Sequence, residues 1–432
     1  MKMYQSAASM FKNKKVLILG FGREGMSTYR FLRNMYPDMH LTIADKKKIK
    51  LDDKNVTLIC GDSYMDSLND FDIVMKSPGI AFLDVDIKDG TLVTCQTDLF
   101  LKFAPCRKVG ITGSKGKTTT STLIYDMLKE GGFDARLIGN IGVPVLEDIN
   151  TVTPETIAVI EMSSHQLEFT TSSPEVAVLT NIYEEHLDHY RDGFRGYVNA
   201  KLNIVRRQKE GDTFIYNATQ GLDGLCDLGK IKSHKVGVKK DAPLPFAVNN
   251  EHLLGEHNRQ DIVFALEAAK HFGVDTAAER AVEKFSGIEH RMEKVGTFRG
   301  ITFYNDCIAT IPHAVECAVE ALKNVDTLIF GGMDRGLDYS EFENYLKKSN
   351  IKNLIGTPET GHKICDKIEG APQKNVYKAA NLDEAVKKAY EVTAKGKICL
   401  LSPAASSYNC YKNFEEKGKH YKKLVREYGK ED

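Results

Sequence analysis

The sequence predicts an α/β protein of three domains, each built on a sheet of largely parallel strands. The chain has 432 residues, which exceeds the roughly 100–200 residues of an ordinary domain. Apolar residues make up 42% of it and charged residues 27%, a composition typical of globular domains with buried cores. Short apolar runs alternate with amphipathic segments of helical length, and this alternation is typical of doubly wound sheets.

Six apolar runs have the length and composition of buried strands. They are residues 16–19, 73–75, 157–160, 176–179, 328–330 and 398–401. In doubly wound sheets, ligands bind at the carboxyl ends of the strands. We therefore expect the functional residues directly after these runs.

Two junctions divide the chain into predicted domains at 1–104, 105–288 and 289–432. Pro105 disfavours a continued helix ahead of the predicted strand 108–112. The second junction is placed at residues 286–288, which read Ser-Gly-Ile. Residues 221–245 are polar and contain glycine, and no element is predicted there.

The charge balance and the cysteine content indicate which partners and which compartment to expect for the protein. Lys plus Arg and Asp plus Glu both number 59, so no bulk positive field draws in nucleic acid or an anionic membrane. The nine cysteines are scattered without a Cys-x-x-Cys pair, which fits reduced thiols. Neither a secretory signal nor a long apolar run is evident. We expect a soluble, cytoplasmic monomer that binds small molecules, and neither nucleic acid nor a membrane.

A glycine-rich turn at residues 113–118, Gly-Ser-Lys-Gly-Lys-Thr, follows the predicted strand and precedes a helical pattern. The backbone N–H groups of such a turn and the positive end of the helix hold phosphate oxygens. Lys117 can reach the outer phosphates and Thr118 can bind magnesium. The spacing departs from the general phosphate-loop pattern, because Ile111 occupies the position of its first glycine. The turn predicts an ATP-dependent enzyme.

Carboxylates and imidazoles follow the next two predicted strands. Glu161 stands where one strand ends, a position suited to a metal or its water. After the other, residues 184–189 read Glu-Glu-His-Leu-Asp-His. Magnesium prefers oxygen ligands, so a histidine contact would be unusual. On this evidence alone Glu161 fits a helix cap, and 184–189 fits a solvated loop.

The N-terminal region carries a second glycine pattern. Residues 20–25 read Gly-Phe-Gly-Arg-Glu-Gly after the first strand, and Asp45 ends the second. By itself this pattern predicts a dinucleotide-binding domain, hence a nicotinamide-dependent oxidoreductase. The same geometry suits another diphosphate.

Taken together, the motifs resemble those of the Mur ligases, which join an amino acid to a UDP-muramoyl precursor of bacterial peptidoglycan. The resemblance covers nearly the whole chain. It rests on residues 112–118, 139–142, 161–164, 181–188, 200–201, 257–258, 290–291 and Asp306. Residues 401–404 and 412–415 resemble the glutamate-adding members in particular, whereas the related folylpolyglutamate synthases lack that ending. The resemblance implies a Rossmann-like N-terminal domain, a central phosphate-loop ATPase-like domain and a Rossmann-like C-terminal domain.

The resemblance also implies roles for residues of the central domain. Thr118 and Glu161 would bind one magnesium ion, and His186 would contact a second. Lys201 matches a lysine that the family carries as a carbamate, and Lys117, His186 and Lys201 would be catalytic. The implied ATP-binding residues are Gly113, Ser114, Lys115, Gly116, Lys117, Thr118, Thr119, Asn258, Arg291 and Asp306. Asp261 stands where the family typically has a second asparagine.

The implied acceptor site holds the UDP end of the precursor in the N-terminal domain. Its residues are Arg23, Glu24, Asp45, Lys46 and Ser77, with Asn140, Ser163 and Ser164 of the central domain. The implied glutamate site comprises Thr310, Arg335, Ser407 and Phe414. Ile308 replaces a lysine that could meet a substrate carboxylate, which leaves the glutamate enantiomer open.

We therefore expect a ligase that uses ATP and Mg²⁺ to add D-glutamate to UDP-N-acetylmuramoyl-L-alanine through an acyl phosphate. A variant that adds L-glutamate is the alternative within the family, and a nicotinamide-dependent oxidoreductase is the alternative outside it. A non-enzymatic interaction protein with a decayed nucleotide site is disfavoured, because Lys117, Thr118, Glu161, His186 and Lys201 are all present.

Overall fold

A computed structural model describes residues 7, 9–140, 144–222, 224–250, 252–253, 255–334 and 337–430, apart from the side chain of Asp148. The chain divides into two compact units, Met1–Phe285 and Ser286–Asp432. The first unit contains two sheets and the second contains one. No described helix is long and apolar enough to cross a membrane.

The first sheet has five parallel strands in the order β3-β2-β1-β4-β5. Its strands are β1 (Val16–Leu19), β2 (Leu41–Asp45), β3 (Val56–Cys60), β4 (Ile73–Lys76) and β5 (Leu92–Thr94). Helix α1 (Arg23–Met35) follows β1, and α2 (Gln96–Phe103) follows β5. The strand order reverses between β1 and β4, and such a switch point is where these sheets bind ligands.

The second sheet has six parallel strands in the order β11-β10-β9-β6-β8-β7. Its strands are β6 (Arg107–Thr112), β7 (Ala135–Gly139), β8 (Ile157–Glu161), β9 (Val176–Leu179), β10 (Thr213–Asn217) and β11 (His234–Val238). Its helices are α3 (Lys117–Glu130), α4 (Val145–Asp148), α5 (Ser164–Leu167), α6 (Phe194–Leu202), α7 (Glu256–Lys270) and α8 (Ala277–Lys284). The central strands β6, β8 and β9 are buried on both faces, which explains their continuous apolar sequences.

The sheet of the second unit is mixed, with the strand order β12-β13-β17-β14-β15-β16. Its strands are β12 (Glu293–Phe298), β13 (Ile301–Asn305), β14 (Val325–Phe330), β15 (Asn353–Gly356), β16 (Asn375–Lys378) and β17 (Ile398–Leu401). Its helices are α9 (Pro312–Leu322), α10 (Ser340–Lys348), α11 (Thr360–Ile368), α12 (Leu382–Val392) and α13 (Phe414–Tyr428). Only the edge pair β12–β13 is antiparallel; the other neighbours are parallel.

The predicted fold class is confirmed, and all six apolar runs lie in strands. Nine strands were not predicted individually: β3, β5, β7, β10, β11, β12, β13, β15 and β16. Two examples are strands at sheet edges. The polar stretch 221–245 contributes the edge strand β11, whose Val236 and Val238 alternate with polar or small neighbours because this strand is largely exposed. The antiparallel strand β12 is half-exposed and bulged, so it lacks the continuous apolar run of a central strand.

Candidate active site

The glycine-rich turn lies between β6 and α3, as predicted. Gly113 has φ 153° and Gly116 has φ 81°, and side chains at these positions would meet their neighbours. A Cβ on Gly113 would lie 1.9 Å from Thr180 Oγ1, and one on Gly116 would lie 2.4 Å from Asp261 Oδ1. Both positions therefore require glycine.

The loop after β9 holds this turn in place. The Ser114 N–H donates to the Asn181 carbonyl (2.9 Å), and the Lys115 N–H donates to the Asn181 side chain (2.8 Å). The Ser114 hydroxyl lies 2.6 Å from the Tyr197 hydroxyl and accepts from the Tyr183 N–H. The exposed ammonium of Lys115 lies 2.5 Å from a Glu185 oxygen. These contacts hold the turn in a defined conformation.

Lys117 begins α3 and folds back over the turn. Its ammonium donates to the carbonyls of Gly113 (3.0 Å) and Ser114 (2.9 Å). Thr118, the next residue, is buried, and Thr119 is partly exposed. The Lys117 ammonium is thus at the rim of the turn, from which it can exchange a carbonyl for a phosphate oxygen.

Glu161 is the last residue of β8 and is 1% exposed. One carboxylate oxygen accepts a hydrogen bond from the Asn140 amide (2.7 Å). The other oxygen is buried and has no hydrogen-bond partner among the described residues. A buried carboxylate oxygen without a partner is unfavourable unless a ligand completes it. Glu161 is therefore a strong candidate for a cation ligand.

Lys201 lies in α6 and is 2% exposed. Its ammonium donates to the Gly113 carbonyl (2.8 Å) and lies 4.6 Å from the centre of the Tyr197 ring. Burial, together with the positive charge of Lys117, lowers the pKa of Lys201 well below its ordinary value. No carboxylate among the described residues forms an ion pair with it. Lys201 and Lys117 thus meet at the same glycine carbonyl.

His186 is exposed and belongs to a cluster of three imidazoles that the sequence did not reveal. Its ring centre lies 4.8 Å from that of His165, which lies 3.9 Å from that of His189. Burial and the neighbouring His189 lower the pKa of His165 to about 3, so its ring is neutral at ordinary pH. His165 follows the Ser163–Ser164 motif and was overlooked because its neighbours lie about twenty residues further along the chain.

The expected nucleotide residue of α7, Asn258, lies in the first turn of that helix and is partly exposed. One turn further on, the buried Asp261 accepts a hydrogen bond from the Thr120 hydroxyl (3.2 Å). The first turn of α7 is therefore anchored to α3 beside the glycine-rich turn. Asp261, which stands where the family typically has a second asparagine, is therefore the residue that anchors α7 to α3.

Five expected acceptor residues line one pocket of about 360 Å³ at the switch point of the first sheet. These are Arg23, Glu24, Asp45, Lys46 and Ser77. The Asp45 carboxylate accepts from the N–H groups of Phe21 (2.7 Å) and Lys47 (2.7 Å). Tyr64 also lines the pocket and was missed, because nothing in its local sequence marks it.

The remaining acceptor residues lie in the central part of the first unit. Asn140 holds Glu161, and Ser163 caps α5 by accepting from the Gln166 N–H (3.2 Å). The Gln166 amide in turn donates to the Glu24 carboxylate (2.9 Å), and burial raises the pKa of Glu24. Ser164 is buried beside this cap. A chain of contacts thus joins the pocket of the first sheet to α5.

In the second unit, Asp306 follows β13 and is 3% exposed. Its carboxylate accepts from the Ser402 hydroxyl (2.7 Å) and the Met292 N–H (3.1 Å). Burial nevertheless raises its pKa to about 6. Arg291, the expected partner on ATP, is exposed, and its charge opposes that rise in the pKa of Asp306.

The expected glutamate residues that are described also lie in the second unit. Thr310 precedes α9, and Phe414 begins α13 with its ring 5.9 Å from that of His290. Ser407 is 3% exposed, and its hydroxyl has no partner among the described residues. Arg335 lies outside the described residues.

Comparison with known proteins identifies the family. Three family profiles match in order: the Mur ligase MurD-like N-terminal domain at residues 14–93, the Mur ligase middle domain at 111–269 and the Mur ligase glutamate ligase domain at 290–405. The chain is 32% identical to the UDP-N-acetylmuramoylalanine–D-glutamate ligase of Clostridium kluyveri, over 96% of this chain and 97% of that protein.

Solved structures agree at the level of the fold. MurF ligase from Thermotoga maritima, solved in complex with ADP, gives a TM-score of 0.55 at 17% identity and covers 96% of this chain and 95% of that one. UDP-N-acetylmuramate–alanine ligase MurC from Thermotoga maritima gives 0.56 at 18% identity, with 96% and 100% covered. The ordered profiles and the nearly full-length relative lead to one conclusion: the chain belongs to the Mur ligase family.

Proposed function

We propose that this protein is an ATP-dependent ligase that joins D-glutamate to UDP-N-acetylmuramoyl-L-alanine during peptidoglycan precursor synthesis. The nearly full-length similarity to relatives named for this reaction carries the proposal. The acceptor carboxylate attacks the γ-phosphorus of ATP and releases ADP. The glutamate amine then attacks the acyl carbon, phosphate leaves, and the amine loses a proton. We place this reaction in the cytoplasm and the protein as a monomer.

The glycine-rich turn is the site proposed for the ATP phosphates. Its N–H groups and the start of α3 offer positive potential to an anion. Lys117 would exchange its carbonyl partners for phosphate oxygens and stabilise the charge on the phosphoryl group in flight. Asn258, and Arg291 and Asp306 of the second unit, are the residues proposed for the nucleoside.

The residues beside the turn fit a magnesium ion. A hard cation would complete the carboxylate oxygen of Glu161 that has no described partner, and Thr118 of the glycine-rich turn would add its hydroxyl. No group of three His, Cys, Asp or Glu side chains poised for a metal occurs in the described part of the chain, which suits an ion that takes its other ligands from phosphate and water. Magnesium would neutralise phosphate charge during transfer, and His186 is proposed beside a second ion.

Lys201 is proposed to carry a carbamate. A neutral lysine amine attacks carbon dioxide, forms an N–C bond and releases a proton, so that a cation becomes an anion. The unmodified ammonium is buried and has no ion-paired carboxylate among the described residues; the charges of Glu185 and Glu161 oppose the fall in the pKa of Lys201 but do not cancel it. The carbamate would present oxygen atoms to a cation beside the turn.

The pocket of the first sheet is proposed for the UDP part of the acceptor. Arg23 and Lys46 supply positive charge there, and the start of α1 faces the same pocket. Asn140, Ser163 and Ser164 would contact the muramoyl or diphosphate part. We expect UDP to bind to this pocket and NADH not to bind; tight NADH binding with indifference to UDP would contradict the assignment.

The glutamate site is proposed around Thr310, Arg335, Ser407 and Phe414. Phosphate release measured separately with D-glutamate and with L-glutamate, each with ATP and the acceptor, tests both the reaction and the enantiomer. We expect turnover with D-glutamate that requires the acceptor. Turnover with L-glutamate alone would contradict the proposal.

A further inference from the structure

Lys417 is a buried cation of the second unit that none of the assignments above uses. It lies in the first turns of α13 and is 3% exposed. Its ammonium donates to the carbonyl of Gly331, directly after β14 (2.9 Å). Among the described residues no carboxylate forms an ion pair with it.

The groups around Lys417 do not compensate its charge. Burial lowers its pKa, and the nearby thiols of Cys307 and Cys410 only oppose that change. Burial raises the pKa of Cys307 to about 12, so this thiol is neutral at ordinary pH. A buried ammonium without an anion is unfavourable. Such a position is explained if an anionic ligand completes it.

A second buried polar group without a described partner, the Ser407 hydroxyl, lies close to the same segment of the second unit. Ser406 pairs with Met333 by a backbone hydrogen bond of 2.7 Å, and the next residue, Ser407, has a buried hydroxyl without a described partner. Gly331, which accepts from Lys417, is two residues before Met333, a span of roughly 7 Å in extended chain. A Cβ on Gly332 would lie 2.3 Å from the Ser406 carbonyl oxygen, so residues 331–333 pass both the residue before Ser407 and the Lys417 ammonium.

Glutamate can supply the anionic partner that the Lys417 ammonium and the Ser407 hydroxyl lack. It brings two carboxylates to the site, whereas Arg335 is the single cation among the residues proposed for it, and the described ones, Thr310, Ser407 and Phe414, carry no positive charge. The family lysine at position 308 is an isoleucine. We propose that Lys417 binds a carboxylate of the incoming glutamate together with the Ser407 hydroxyl and thereby replaces the cation lost at Ile308. The inference rests on the proposed function.

The substitution Lys417→Met tests this role. Methionine removes the charge and keeps most of the volume, so the fold should be retained, and thermal stability should not fall. We expect the KM for D-glutamate to rise at least ~30-fold, because a buried charge-assisted contact is lost, while the KM values for ATP and acceptor stay within about threefold. Lys419→Met, an exposed lysine of the same helix, is the matched control and should behave as wild type.

A partial reaction separates this inference from the proposed function. Without glutamate, ATP and the acceptor should still form an acyl phosphate, which hydroxylamine traps equally in wild type and Lys417→Met. An active wild type together with a variant of unchanged KM for D-glutamate would overturn the role of Lys417 alone. Loss of trapping in Lys417→Met would also overturn it, since the defect would then precede glutamate. A wild type that neither forms the trapped product nor turns over would overturn the proposed function itself.

Discussion

Lys76 and Lys201 are both almost fully buried in the first unit, at 4% and 2% exposure, yet their surroundings are opposite. The Lys76 ammonium lies 3.0 Å from the Glu168 carboxylate and against the rings of Phe82 and Phe169. The Lys201 ammonium contacts a carbonyl and an aromatic ring, with no carboxylate of the described residues paired to it.

The difference separates a lysine whose charge is paired from the lysine that we propose to be modified. Burial would raise the pKa of Glu168, but His189 and Lys76 hold it below its usual value, so the pair is charged and mutually satisfied. Lys201 forms no ion pair among the described residues, although the charges of Glu185 and Glu161 oppose the fall in its pKa. One carboxylate oxygen of Glu161 also has no hydrogen-bond partner among the described residues. Unsatisfied buried groups are costly, and they cluster where a ligand or a modification completes them. The following substitutions test this contrast.

Lys201→Ala should have the largest effect. We expect kcat to fall at least ~10³-fold, because the anion proposed beside the phosphoryl group is lost. Short carboxylic acids such as acetate should restore part of the activity by replacing the carbamate. The matched control is Lys76→Met, in which acetate should have no effect. Full activity of Lys201→Ala without acetate would contradict the assignment.

Lys117→Ala should lower kcat by about 10²–10³, since a charge that stabilises the transferring phosphoryl group is removed. Acetate should not rescue this variant, because the missing group is a cation. Steady-state phosphate release measures both points. Near-normal turnover would show that the glycine-rich turn does not act in catalysis. The functional role proposed for Lys201, which contacts the same turn, would then lose its support, and Lys201 would no longer differ from Lys76.

Lys76→Met should act on stability. Removing one partner leaves the partly buried Glu168 with only His189, and we expect a loss of about 2–3 kcal/mol in unfolding free energy. Thermal and urea unfolding would measure it. The double variant Lys76→Met/Glu168→Leu should recover much of the loss, since an apolar pair needs no compensation. If Lys201→Ala lost stability and Lys76→Met did not, Lys201 rather than Lys76 would be the lysine that stabilises the fold, which would contradict this account.

The effect of Asp306→Asn on stability should depend on pH. The folded pKa of Asp306 is about 6, above its ordinary 3.8. Below pH 4 both states are protonated; from pH 4 to 6 only the unfolded state ionises, so stability falls as pH rises. The stability of Asp306→Asn relative to wild type should therefore increase by roughly 2–3 kcal/mol from pH 4 to pH 7. A pH-independent difference would contradict this account.

The sequence predicted those parts of the structure that local patterns encode. Continuous apolar runs revealed the central strands, and the glycine pattern at Gly113 to Thr118 predicted the turn with its flanking strand and helix. The half-exposed edge strands β11 and β12 lack such runs and were not predicted. Five pocket residues were expected from the resemblance to the Mur ligases, and they line one pocket because they follow strands that meet at one switch point.

Other site residues depend on contacts between distant segments. His165 becomes notable only when His186 and His189 fold onto it. In the sequence, Lys417 does not differ from the other lysines of its helix. Only its burial and its hydrogen bond to the Gly331 carbonyl distinguish it. Whether a charged side chain has a partner is a property of tertiary packing, so no periodicity or spacing reveals it.

The carbamate on Lys201 is the central claim, and direct observation tests it. The protein would be equilibrated with ¹³C-labelled bicarbonate and its carbonyl carbons observed by NMR. We predict one carbamate resonance that is present in wild type, Lys76→Met and Lys417→Met and absent in Lys201→Ala. A spectrum without that resonance in wild type, or one that persists in Lys201→Ala, would contradict the account.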